Sequence, residues 1–186
     1  MKQIFSFSFL AIMLLITSCN SQTEKTQTAP SNENALVAGQ SGVQDDESAK
    51  DVVKVAAGSK DHTTLVAAVK QAELVDVLSN AGPFTVFAPT NAAFDKLPKG
   101  TVEDLMKPEN KAKLQDILQY HVYVGSLKTD MMQDGQTFNQ VNGGNITVSK
   151  KDGKVMINNT ATVITSIPAS NGIIHVVDGV LIPPGK

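Results

Sequence analysis

At 186 residues and 41% hydrophobic content, the chain is long enough for one ordinary domain with a real core. Every basic residue is a lysine and the formal net charge is −2, so neither guanidinium forks nor a positive field is present to hold a polyanion, and nucleic acid is excluded as a partner. The three histidines, His62, His121 and His175, lie far apart, and no His-Glu-x-x-His or Cys-x-x-Cys pattern exists, so the sequence offers no metal site and implies no cofactor.

The N-terminus is addressed before it is folded. Ile4 to Ile16 is apolar apart from Ser6 and Ser8 and follows Lys2, which reads as a secretory signal over residues 1–18, too short to span a bilayer. It ends Leu15-Ile16-Thr17-Ser18-Cys19, and this resembles the lipobox of bacterial lipoproteins, in which the cysteine is acylated after cleavage. Two or three acyl chains would hold the protein firmly where one would not. The expected partner is therefore a membrane, through Cys19. Asn20 stands where Asp signals inner-membrane retention in such lipoproteins, so the resemblance implies the outer membrane, with its periplasmic or surface face undetermined. Residues 19–50 are rich in Ser, Gln, Thr, Asn and Gly, contain no aromatic residue, and close on the acidic run Asp45-Asp46-Glu47. Such a stretch cannot bury enough apolar surface to order itself, and as a coil it reaches roughly 30 Å.

A folded domain is expected over residues 51–186. Val52, Val53, Val55 and Ala56 form a short apolar segment read as helix, although valines also suit a strand. Leu65, Val66 and Val69 repeat at helical spacing behind Asp61 as cap. After a break near Gln71, Leu74, Val75, Val77 and Leu78 continue to a stop at Asn80-Ala81-Gly82. Thr85-Val86-Phe87 is β-branched and aromatic and follows Gly82-Pro83, so it predicts a buried strand. Pro89 ends it, Thr90 caps a helical turn beginning at Asn91, and that turn aims Phe94 at the core.

Thr101 is expected to cap a further helix, and Pro108 to open a longer one with Leu114, Ile117 and Leu118 on one face. That helix runs into Tyr120-His121-Val122-Tyr123-Val124, where alternation begins. Beyond it, Ile146 and Val148 alternate with polar residues, Lys151-Asp152-Gly153-Lys154 predicts a two-residue hairpin, and Val155 and Ile157 return. Ala161 to Ile167 and Ile173 to Val177 supply two more strands, the second entered through Asn171-Gly172 and left through Asp178-Gly179. Asn142-Gly143-Gly144-Asn145 lacks the helix and lysine of a phosphate loop and reads as a β-turn. Helices early and strands late predict an α+β fold.

Three stretches together carry a family resemblance: Thr85 to Phe94, Tyr120-His121 after an amphipathic helix, and Asn171 to Pro184. In that order and spacing they resemble the FAS1 (fasciclin) domain, over about Asp51 to Pro184. The resemblance implies a single domain of two twisted β-sheets forming a wedge, with several short helices packed on one side. It also implies a non-enzymatic adhesion module binding an extracellular or envelope protein or polysaccharide. Thr85, Phe87, Pro89, Thr90, Asn91, Phe94, Asn171, Gly172, His175 and Asp178 are then structural motif residues, and Tyr120 and His121 mark a candidate adhesion surface. Animal members carry an Asp-Ile pair where this chain reads Ser166-Ile167-Pro168, so integrin recognition does not carry over.

On the residues alone, His121 and His175 sit in apolar strand contexts that suit a structural imidazole bonded to a buried carbonyl. No Gly-x-Ser-x-Gly elbow is present, and an enzyme would need a cleft joining one of these histidines to a carboxylate such as Asp178. The alternative function is a small-ligand or carbohydrate-binding envelope lipoprotein, motivated by the Asn and Thr residues of the β-rich half. It has no Trp and few other rings for stacking.

Overall fold

The computed structural model describes residues 49–184. The signal segment, Cys19 and all but the last two residues of the 19–50 stretch lie outside them. Six α-helices and seven strands follow in the order α1 (Val52–Ala57), α2 (Thr63–Gln71), α3 (Val75–Ser79), β1 (Phe84–Pro89), α4 (Asn91–Asp95), α5 (Thr101–Leu105), α6 (Lys111–Tyr120), β2 (Val122–Val124), β3 (Thr137–Asn139), β4 (Asn145–Lys151), β5 (Lys154–Ile157), β6 (Ala161–Ala169) and β7 (Gly172–Val177).

The strands join edge to edge in the order β2-β1-β7-β6-β5-β4-β3. Where two sheets were expected, the strands form a single seven-stranded sheet, because long β6 pairs on both sides and joins its two parts. The residues of β6 from Val163 onward pair antiparallel with β7, with a register shift between Val163 and Thr165, whereas Ala161 and Thr162 pair with Ile157 and Met156 of β5. β1 runs parallel to β7 from Phe84↔Gly172 to Pro89↔Val177, which brings the first and last motif stretches side by side.

Pleating sends successive side chains to opposite faces, and both faces of the central strands are covered. Val86, Ala88, Ile174 and Val176 meet the helices, joining Val52, Leu65, Val69, Leu114 and Leu118 in one core. Phe87 and Val177 face the other way and join Tyr120, Met132, Ile146, Val148, Val155, Ile157 and Leu181 in a second.

Several local expectations hold. Asp51 caps α1 by accepting from Lys54 N at 2.7 Å, which settles the valine-rich segment as helix. Thr90 caps α4 through Ala93 N, and Asp152 (φ 52°) with Gly153 (φ 74°) makes the turn between β4 and β5. Others are corrected. Asp61 does not cap α2: Ser59 accepts from Asp61 N at the start of a 3-10 turn over Lys60–His62, and α2 begins only at Thr63. Thr101 is the first residue of α5 rather than its cap, because Gly100 takes the capping position at φ 86°, where a side chain would be strained. Pro108 opens a separate 3-10 turn, Pro108–Asn110, ahead of α6. β3 gave no sequence signal, since only Phe138 of its three residues turns inward.

Candidate functional site

The helix-to-strand junction after α6 carries the two residues expected to mark a binding surface, and both are inside the protein. Tyr120 is 1% exposed and His121 3%. The expectation is corrected to that extent: neither ring is itself a contact surface. Tyr120, the last residue of α6, leaves the face that Leu114 and Leu118 give to the helical core and joins the second core, and its hydroxyl donates to Asn145 O at 2.7 Å and accepts from Asn158 Nδ2 at 2.9 Å, tying the helix end to β4 and to the turn after β5. His121 terminates α6. Its Nδ1 lies 2.7 Å from Ile117 O, and Leu181 N–H donates to Nε2 at 2.9 Å. A carbonyl on one side and an N–H on the other fix the neutral tautomer with the proton on Nδ1. Burial lowers the pKa to about 4, and protonating Nε2 would set two donors against each other.

His175 is a second strut of the same kind on β7, fully buried beside Phe87 with ring centroids 5.6 Å apart. Nε2 donates to Leu127 O at 2.7 Å, so Nδ1 accepts from the Ser166 hydroxyl at 2.8 Å, and desolvation again lowers the pKa. The third, His62, is buried with Nδ1 against Ser59 Oγ at 2.9 Å. Its Nε2 faces the Ala88 carbonyl without making a well-formed hydrogen bond, and desolvation lowers its pKa as well.

The remaining motif residues are fasteners. Thr85 Oγ1 donates to Gly125 O at 2.7 Å and accepts from Leu127 N at 2.9 Å, so one buried hydroxyl fixes both ends of a turn. Asn91 reaches back to the N-terminus of α2, accepting from Thr64 N at 3.1 Å and donating to Lys60 O at 3.0 Å. Asn171 donates to Leu78 O and Asn80 O at 2.7 and 2.8 Å and accepts from Val52 N at 2.9 Å, pinning α1 and α3 to the β6–β7 turn. Gly172 is required by contact, since a Cβ there would stand 2.0 Å from Phe84 O. Asp178 Oδ1 accepts from Thr162 N at 2.6 Å, and Lys96 Nζ donates to Asp178 O at 2.7 Å. Pro89 closes β1 beside Val177, and Phe94 packs half-buried against the helical core.

These contacts decide what chemistry the site can do. Both nitrogens of His121 and of His175 are engaged by groups other than Asp178, so the histidine–carboxylate cleft that an enzyme would need is not formed by these residues. Among the described residues no group of three His, Cys, Asp or Glu side chains gathers to hold a metal, and no helix is long and apolar enough to cross a membrane. The asparagines that motivated a carbohydrate-binding alternative lock turns instead. Asn139 bonds Gly143 O, Asn158 Oδ1 accepts from Thr147 N, and Asn159 Oδ1 accepts from the Ser149 hydroxyl. Sequence reasoning missed Asn158 and the Leu181 amide. Asn158 is held at φ 52°, and an Asn just after a strand was the available signal.

The Fasciclin domain model matches residues 60–183. Protein sll1483 of Synechocystis sp. is 51% identical over 138 residues, covering 74% of this chain and 76% of its own. Immunogenic protein MPB70 of Mycobacterium bovis is 38% identical over 141 residues, with 73% and 70% covered. Cell surface glycolipoprotein MPB83 of Mycobacterium bovis is 42% identical over 113 residues, 61% of this chain and 49% of that protein. Among solved structures, a FAS1 domain pair from the insect cell adhesion molecule Fasciclin I matches with a TM-score of 0.65 at 18% identity, over 72% of this chain and 51% of that one, a likeness of fold. With the motif stretches meeting in one sheet and the family model spanning nearly all of the folded region, the chain belongs to the fasciclin (FAS1) domain family.

Proposed function

We propose that this protein is a non-enzymatic adhesion or interaction module of the cell envelope, held to the outer membrane by an acyl group on Cys19 and binding an envelope or extracellular protein or polysaccharide. The observation that carries the reading is the internal engagement of His121 and His175: both imidazoles are spent on holding junctions. Two relatives support the location by their names, a cell surface glycolipoprotein and an immunogenic protein. Tyr120 and His121 then act as positioning residues. The junction they fix leads into short β2, where Val124 is 65% exposed, and Val141, whose N–H donates to Val122 O, is 46% exposed beside it. These valines are the proposed contact surface.

A pull-down from envelope and matrix material tests it. The wild-type domain captures a specific macromolecule, and a Val124→Asp, Val141→Asp double variant of unchanged melting temperature loses it; equal capture by both would contradict the assignment. The anchor has its own test, since palmitate labelling is abolished by Cys19→Ala if the sulfur carries the lipid and is unchanged if it does not.

A further inference from the structure

Two voids and a surface notch follow one another on the helical side of the sheet. The middle one, of 170 Å³, lies between α2, α4, α5, α6 and the segment after β7, with Phe94, Leu105 and Met106 in its walls. A smaller void of 40 Å³ shares Leu65, Leu118 and His121 with it and extends to Val52 and Val53 of α1. On the other side a shallow surface notch shares Ile117 and Ile182 with the middle void and adds Lys113.

Protein interiors pack as densely as organic crystals and rarely leave such room. The side chains with nitrogen or oxygen in the walls of the first two voids are Thr101 and His121, and both His121 nitrogens are already taken; Met106 adds only a thioether. Walls of this kind hold water poorly; an apolar cavity of about 150 Å³ stays dry and accepts a benzene-sized guest. The spaces on either side share different wall residues with the middle void, so the three lie in a row, which suits a chain better than a disc. At the mouth Ile182 is 62% exposed, a large apolar surface left beside apolar room.

The notch supplies the complementary charge. Lys107 is paired with Asp104 and Lys111 with Glu73, whereas the Lys113 ammonium forms no salt bridge among the described residues and meets the Asp104 carboxylate only at longer range. Asp116, in the same notch, has Oδ1 engaged by Asn142.

We propose that this face binds a linear fatty acid, its hydrocarbon tail running through the voids from Ile182 towards Val52 and its carboxylate meeting Lys113 at the mouth. The site is separate from the β2 surface and does not depend on the adhesion reading.

Titration calorimetry of the full chain carrying Cys19→Ala, which removes any covalent acyl competitor, tests the proposal with dodecanoate below its micelle concentration. One saturable site is expected, with the negative heat-capacity change of apolar burial. Ala68→Leu, which adds volume to the wall of the middle void, weakens binding at least about tenfold with no loss of melting temperature. If that variant does not fold, Val102→Phe in the same wall blocks the site instead. Lys113→Ala weakens dodecanoate about threefold and leaves dodecanol unchanged. No saturable binding of dodecanoate, undiminished affinity in a folded cavity variant, or equally tight binding of dodecyltrimethylammonium would each overturn it.

Discussion

The two faces of the sheet are packed differently. On the strand-rich side Met132, Ile146, Val148, Ile157, Ala161 and Val177 have no exposure at all. On the helical side the layer is assembled from helices of ten residues or fewer, and it leaves voids of 40 and 170 Å³ between them. Ladder register fixes β4, β5 and β6 at the spacing their side chains fill. Short helices joined by turns have no such constraint, so gaps collect where α2, α5 and α6 meet the sheet. Enclosed apolar room is therefore found on the loosely tiled side, and rigidity on the other.

The largest expected effect that sharpens this contrast is Phe87→Ala. Phe87 belongs to the strand-side core and stacks on His175, so its loss opens a cavity that a ladder-held core cannot collapse, costing about 3–5 kcal/mol in a denaturant titration. Next comes pH. His121 in the folded state has its pKa depressed to about 4, while the unfolded chain protonates at the ordinary histidine value, so the unfolded state binds the extra proton as pH falls. Stability is full above about pH 6.5, declines by about 3 kcal/mol towards pH 4, and this component is absent in His121→Gln.

Asn171→Ala follows. It releases Val52 N, Leu78 O and Asn80 O together and should cost about 2–3 kcal/mol, with α1 losing amide protection first. The finest discrimination uses one substitution on both faces. Ala161→Leu overpacks the strand-side core and destabilises by about 1–3 kcal/mol, whereas Ala68→Leu enters the 170 Å³ void and is neutral or stabilising. A thermal melt giving both the same sign would erase the distinction between the faces.

Much of the fold was legible because it rests on local rules. Gly-Pro before Thr85, Thr90 as cap, Asp152-Gly153 as turn and the alternation of Ile146 and Val148 each act within a few residues. The errors arise where a distant group replaces a local one. α2 begins at Thr63 because Asn91 Oδ1 accepts from Thr64 N, 27 residues away in sequence, and no nearby Asp signals this. The Tyr120-His121 dipeptide was found, but its burial was not, since that depends on Asn145, Asn158 and Leu181 arriving from elsewhere in the chain. The apolar room on the helical side left no sequence trace either. It comes from what Leu65, Phe94 and Leu105 fail to fill together, and each of them reads as an ordinary core residue.

The central claim, that the imidazoles are internal struts rather than reactive groups, is tested most directly by long-range 1H–15N NMR of histidine side chains across a pH titration. His121 should hold the neutral Nδ1–H form and His175 the neutral Nε2–H form, and His121 should take up no proton until the pH falls to about 4. A His121 resonance that titrates near the ordinary value of about 6.5, or exchanges between tautomers, would contradict it.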